Sequence, residues 1–365
     1  MLRPIAIYLP QYHPIPENDE WWGKGFTEWT NVVRAKPLFK GHYQPHLPAD
    51  LGFYDLRLEE IRKAQAELAK QNGIHGFCYY HYWFNGRRIL ERPFHEVFES
   101  GNPDFSFMLC WANENWTRVW DGGENEILLK QNYHEEDDRA HIRSLIPYFK
   151  DKRYIKVDGK PVFVIYKSSD LPNIKQTLLI WRQEAKREGM ELYVCRMERG
   201  NEPDNKEDLM NGFDAAIDFQ PGSSSLKSYR EKNKKKYDSS FLSRVKKKID
   251  FVLRDKVNKI DLEDFVQFDL LSKDKPYKFY PGVSPMWDNT ARRGALATVF
   301  TNSSPELYGK WLSGKLNKFK PYSQDENFIF INAWNEWAEG NHLEPCKEWG
   351  HQYLETTKKV LNQFK

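Results

Sequence analysis

The feature that most restricts the fold is a rhythm of eight short apolar runs, most of them followed by a stretch with helical spacing. The runs are Pro4 to Leu9, Ile74 to Tyr80, Phe105 to Cys110, Val162 to Tyr166, Leu192 to Cys195, Phe213 to Ile217, Phe279 to Val283 and Phe328 to Trp334. Helical spacing covers Leu56 to Gln71, Ile89 to Ser100, Glu135 to Lys150, Asn173 to Glu188, Pro305 to Leu312 and Gly350 to Phe364. A short helical piece is read near Lys206, and a long irregular stretch after the sixth run. Runs this apolar suit strands buried on both faces, and strands alternating with helices form parallel sheets. No Gly-x-Gly-x-x-Gly follows the first run, which argues against a doubly wound dinucleotide-binding sheet. The expectation is an α/β chain forming one (β/α)8 TIM barrel over residues 1–365. A barrel needs roughly 250 residues, and the surplus is assigned to an insertion at about 222–275, between the sixth and seventh strands.

That insertion hides an imbalance inside the net charge of +3: residues 227–259 hold 13 Lys/Arg against four Asp/Glu, a local +9 that leaves −6 for the rest. Within it Phe241, Leu242, Val245, Ile249, Val252, Leu253 and Val257 recur at helical spacing, which predicts a basic amphipathic helix or hairpin over the barrel mouth. Its ordinary reading is a solvated helix face. The sharper one is an anionic membrane surface or a lipid-linked glycan bound through residues 227–259. No nucleic acid is expected.

The longest apolar runs fall far short of the ~20 residues needed to span a bilayer, and the N-terminal apolar stretch is shorter than a signal-peptide core. Four scattered cysteines, Cys78, Cys110, Cys195 and Cys346, form no Cys-x-x-Cys pair and read as reduced and structural. A cytoplasmic location, peripheral to the inner membrane if the basic segment docks there, is the expectation. His42 and His46 flank a proline and match no His-Glu-x-x-His pattern, so neither metal nor cofactor is expected.

Aromatics make up 15% of the chain and crowd beside amides and carboxylates. A barrel does its chemistry at the C-terminal ends of its strands, where these segments fall. Flat rings beside polar groups form a cleft for a partly polar ligand, a description that sugars fit. The candidate substrate-binding residues are Tyr8 after strand one; Tyr80, His81, Tyr82 and Trp83 after strand two; and Trp111, Asn113, Glu114, Asn115 and Trp116 after strand three. Trp287, Asp288, Asn289 and Arg292 follow strand seven, and Asn335 and Trp337 strand eight. Arg118, Arg292 and Arg293 are candidates for an anionic sugar or a diphosphate, or for structural pairing with carboxylates.

The last segment also carries Glu336 and Glu339, the candidate catalytic pair. Glycoside chemistry needs one carboxyl to protonate the leaving oxygen and a second to attack, activate water or take a sugar proton. On a helix, residues three apart would face one sugar together.

Asn335-Glu-Trp-Ala-Glu-Gly340 with Leu343-Glu-Pro345 resembles the catalytic segment of glycoside hydrolase family 99, the endo-α-mannosidases, and Pro285-Met-Trp-Asp-Asn-Thr-Ala-Arg-Arg293 resembles that family's Trp-Asn…Asn-Thr-Arg stretch. The whole chain outside the insertion resembles the WbsX-like proteins of bacterial O-antigen and capsule loci, often labelled glycosyltransferases. That likeness runs through Ile5-Ala-Ile-Tyr-Leu-Pro-Gln-Tyr-His13, Cys78-Tyr-Tyr-His-Tyr-Trp-Phe-Asn-Gly86, Cys110-Trp-Ala-Asn-Glu-Asn-Trp-Thr-Arg118 and Tyr154-Ile-Lys-Val-Asp-Gly-Lys-Pro161. The resemblance implies a (β/α)8 fold and retention through a 1,2-anhydro sugar, with Glu336 deprotonating the 2-hydroxyl and Glu339 acting as acid and then base. The chain departs from the hydrolases at Ala338, where they carry His, and at Asn341-His342, where they carry Thr-Gln; mannose specificity is not carried over. Three functions are therefore weighed: a retaining glycoside hydrolase on a bacterial or manno-configured glycan; a glycosyltransferase or transglycosylase of surface-polysaccharide assembly; and a non-catalytic glycan-binding protein.

Overall fold

The computed structural model describes residues 2–118, 123–200, 211–238 and 257–364. Its centre is a ring of parallel strands in chain order: β1 (Arg3–Tyr8), β2 (Gly76–Phe84), β3 (Ser106–Trp111), β4 (Lys160–Ile165), β5 (Tyr193–Glu198), β6 (Ala215–Asp218), β7 in two pieces (Phe279–Tyr280 and Gly282–Val283) and β8 (Phe328–Ile331). Each strand pairs with its chain neighbours, and β1 pairs with β8 through Ile5 and Phe330. The seventh strand closes the ring in halves: Phe279 pairs with Ala216 of β6, and Gly282 with Phe330 of β8. A Cβ on Gly282 would lie 1.8 Å from the Asp218 carbonyl oxygen, so only glycine lets the halves meet there.

The strands are buried on both faces, as Phe328-Ile-Phe-Ile331 illustrates, because one face fills the lumen and the other packs on helices. The helices among the described residues are α1 (Pro16–Trp22), α2 (Glu28–Arg34), α3 (Glu59–Gln71), α4 (Arg92–Ser100), α5 (Glu135–Lys150), α6 (Ile174–Arg187), α7 (Ser224–Asp238), α8 (Leu262–Leu270), α9 (Thr290–Arg293), α10 (Pro305–Lys318) and α11 (Gln352–Leu361). Their starts are written locally. In α10, Ser304 accepts from the Leu307 amide ahead of Pro305, and in α5 four acidic residues occupy the first turn. Cys78, Cys110, Cys195 and Cys346 are buried free thiols.

The stretch after β6 differs from the irregular one expected. Ser224–Asp238 is a helix, and Asn258–Asp261 is a strand pairing in parallel with Thr298–Thr301. Of the helical pattern over Phe241 to Val257 only Val257 lies within the described residues, where it is buried; the short piece near Lys206 lies outside them. No helix among the described residues is long and apolar enough to cross a membrane.

Candidate functional site

Beyond β8 the chain forms a tight hairpin. Asn335–Glu336 pairs antiparallel with Asn341–His342, and Trp337–Glu339 makes a single 3-10 turn between them. The hairpin, and not a helix, brings Glu336 and Glu339 together, both within 2.8 Å of Arg292. The hairpin is tied to β1 by Asn335, whose Oδ1 accepts from the Leu9 amide at 2.8 Å and whose Nδ2 donates to the Leu9 carbonyl at 3.0 Å. The Tyr12 hydroxyl donates to the Asn335 carbonyl and accepts from the Trp337 amide at 3.3 Å. Gly340 turns the hairpin with φ +51°, and a Cβ there would lie 2.9 Å from that of Asp288. The Asp288 amide donates to the Glu339 carbonyl at 2.7 Å, clamping the turn from the β7 side.

At this turn one guanidinium meets three carboxylates. Arg292, on α9, places Nη2 2.8 Å from Glu336 and 3.1 Å from Glu28, and Nη1 2.8 Å from Glu339. Glu28, in the first turn of α2, is wholly buried, and its Oε1 has no partner among the described residues. Burial raises the Glu336 carboxyl; Arg292 opposes the rise and Glu28 adds to it. Burial likewise lifts Glu339 to about 7, against Arg292 and with help from Glu336. Burial works against the charge on Arg292, yet the three carboxylates hold its pKa well above normal. Glu339 is the more accessible of the pair, its side chain 21% exposed against 7% for Glu336.

The pair opens into a cleft of about 940 Å3 at the C-terminal end of the barrel. Tyr80, Tyr82, Glu114, Asn115, Trp116, Trp287, Asn289 and Arg292 line it, as do Glu336 and Glu339. Trp116 meets Trp21 and Tyr82 edge-on, with ring centroids 5.6 and 5.4 Å away, giving an apolar platform. Glu114 is held by Arg199 at 3.0 Å and Lys167 at 3.2 Å, and Arg199 lies 4.3 Å above the Tyr166 ring.

The other candidates, Arg293 excepted, lie outside the cleft. In β2 the side chains alternate, so Tyr80 and Tyr82 face the cleft while His81 and Trp83 point into the helix layer. There His81 Nε2 lies 2.9 Å from His141 Nε2, and the Trp83 indole donates to Asp137 at 2.9 Å. Trp111 packs on Trp181 and His141. The Tyr8 hydroxyl donates to Gln65 at 2.7 Å within the core. Asn113 exchanges two 2.8 Å hydrogen bonds with the Lys167 backbone. Asp288 accepts from His42 at 2.6 Å and from the Thr290 hydroxyl at 2.6 Å; burial would raise its carboxyl, and these bonds hold it below normal instead. Asn335 and Trp337 fix the hairpin. Arg118 pairs with Glu126 at 2.7 Å, and Arg293 lines the cleft.

Sequence reasoning missed Glu28, Trp21, Tyr166, Lys167 and Arg199, and reached the α7 residues Lys227 and Arg230 only as part of the basic segment 227–259; all lie at the cleft or its carboxylate centre. Lys227 and Arg230 sat in a visible charge run, and Glu28 had no signal beyond an acid in a helix's first turn.

Comparison with solved structures gives the same architecture. An endo-α-mannosidase of glycoside hydrolase family 99 from Bacteroides thetaiotaomicron superposes with a TM-score of 0.59 over 99% of this chain and 97% of its own, at 13% identity. A glycoside hydrolase-like protein gives a TM-score of 0.58 over 98% of this chain and 93% of its own, at 14% identity. In sequence, the protein WxcX of Xanthomonas campestris pv. campestris is 37% identical over 367 residues, 98% of this chain and 49% of the relative. The chain thus spans about half the length of the curated relatives it matches. The family model described as glycosyltransferase WbsX matches residues 4–357. The chain belongs to the WbsX family, built on a (β/α)8 barrel.

Proposed function

We propose that the chain is a retaining glycan-processing enzyme that cleaves a glycosidic bond in the cleft, acting as a glycoside hydrolase on a bacterial or manno-configured glycan. The observation that carries this reading is the placement of Glu336 and Glu339 on one arginine, with unequal burial, at the wall of an aromatic cleft. Glu339, lifted to about 7, keeps its proton near neutrality and is the acid; Glu336 is the base. Glu336 takes the proton of the sugar's 2-hydroxyl as O2 attacks C1. The bond from C1 to the leaving oxygen breaks, and that oxygen takes the proton of Glu339. Water then attacks C1 and gives a proton to Glu339 as the C1–O2 bond breaks and O2 recovers its proton from Glu336, so configuration is retained. Arg292 holds both carboxyls in place through the cycle.

Transfer is the second reading, favoured by the family's description as glycosyltransferases; an acceptor hydroxyl would then replace water in the second half. The deciding experiment incubates the protein with α- and β-manno-configured oligosaccharides and with surface polysaccharides, with and without activated donors, beside Glu336→Gln and Glu339→Gln. Reducing ends released by the parent and by neither variant support hydrolysis. Transfer that depends on an activated donor supports the second reading, and glycan binding with no turnover of any substrate overturns both.

A further inference from the structure

The part of the cleft wall that α7 supplies differs in charge from the rest. Elsewhere in the cleft, Arg292 meets three carboxylates, Arg199 is matched by Glu114, and Lys167 by Glu114 and Asp170. Lys227 and Arg230, one turn apart on α7, both line the same cleft and meet no carboxylate among the described residues. The guanidinium of Arg230 bonds only a neutral group there, donating from Nη2 to the Thr298 hydroxyl at 3.0 Å. Glu231 also lines the cleft and pairs with neither. Beside them the wall is nearly bare backbone: Gly200 and Gly222 line it, with the Gly200 amide bonded to the Gly222 carbonyl. A Cβ on Gly200 would lie 2.8 Å from the Ser223 carbonyl oxygen.

We propose that Lys227 and Arg230 form a diphosphate subsite, so that the substrate of this cleft is a sugar carried on a diphosphate. Two cations one helical turn apart, with no acid between them, match a group bearing two or more negative charges. A single carboxylate would leave one cation unmatched, and neutral hydroxyls would leave both. The Arg230 fork suits phosphate oxygens, the Lys227 ammonium adds a point charge, and the cleft of about 940 Å3 that both line has room for a bulky anion. This deepens the glycan-processing reading and rests on it only for the sugar; the subsite's own chemistry is independent of Glu336 and Glu339.

The test is calorimetric titration of the full chain with inorganic pyrophosphate, with uridine diphosphate and farnesyl diphosphate as separate arms for a nucleotide and a lipid source. Lys227→Ala and Arg230→Ala each weaken pyrophosphate binding about tenfold, and the double variant more. Binding persists in Glu336→Gln, which separates the subsite from the catalytic reading. Lys320→Ala, an exposed cation ahead of β8, leaves it unchanged. Tighter binding of either organic diphosphate than of pyrophosphate supports the proposal and names the source. Full-strength binding by the double variant, an equal loss in Lys320→Ala, or binding of glucuronate but not pyrophosphate overturns it.

Discussion

The indole N–H of Trp337 lies 2.7 Å from Glu344 Oε2, so the residue that follows Glu336 is anchored from behind by a further buried acid. Tyr54 and Gln65 donate to the same carboxylate at 2.8 and 2.7 Å. Glu344→Gln replaces an acceptor facing three donors with a partial donor and costs about 1–3 kcal/mol in chemical denaturation. Burial raises the Glu344 carboxyl from 4.5 to about 7 against those bonds, so in that window the native state holds a proton that the unfolded chain has lost. Its contribution to stability is present below pH 4.5 and is lost as pH rises through about 7. The stability gap between parent and Glu344→Gln narrows by up to about 3 kcal/mol across that range, read by denaturation at several pH values.

Glu339 titrates near 7 in the free protein, and the proposed acid step needs it protonated. The rate under kcat/KM conditions therefore falls above about pH 7 on glycans with poor leaving groups. Glu339→Gln lowers that rate about 100-fold to 10,000-fold and removes the alkaline limb. A substrate with a good aryl leaving group needs no proton and recovers most of the loss in the first step, whereas Glu336→Gln stays inactive on both. Rates for the four combinations check the assignment of acid and base.

Glu28 touches Arg292 from outside the cleft, and its charge helps to raise the Glu336 carboxyl. Glu28→Gln removes that charge, so Glu336 ionises at lower pH and the acidic limb of the rate profile moves down. KM holds while kcat changes, because Glu28 does not line the cleft. A change in melting temperature with an unmoved pH profile would mark Glu28 as structural only.

Gly282→Ala sets a methyl 1.8 Å from the Asp218 carbonyl oxygen, a backbone atom that cannot rotate away. The seam between β6 and β8 must open, at a cost of about 3 kcal/mol or more. Soluble yield and thermal melting show the loss.

The eight strands were legible because barrel strands are buried on both faces, and such runs stand out against amphipathic helices. The site was legible by segment and less so by residue. Glu336, Glu339 and the β7–β8 loops announce themselves as polar groups among rings directly after strands. The β2 segment shows what was lost: all of Tyr80, His81, Tyr82 and Trp83 read as cleft residues, although strand alternation sends every second one to the helix layer. Applying that period to the segment would have separated them. Glu28 and Arg199 were not legible, since their value lies in partners 264 and 85 residues away in sequence. The helix Ser224–Asp238 was hidden by its lysines, which leave little apolar periodicity to read.

The pairing of β1 with β8 ties Arg3–Tyr8 to Phe328–Ile331, so the first of the barrel's strands to be made is among the last to be completed. During synthesis β1 must wait for more than 300 residues to emerge before its second partner exists, and until then one edge of the growing sheet has unpaired N–H and C=O groups. Long-range closure of this kind is slow, and exposed edges invite pairing with other chains. The chain's vulnerability to aggregation is thus concentrated in the interval before β7 and β8 are made. Expression at reduced temperature, or with chaperones that shield that edge, therefore acts on the step at which this barrel is most exposed.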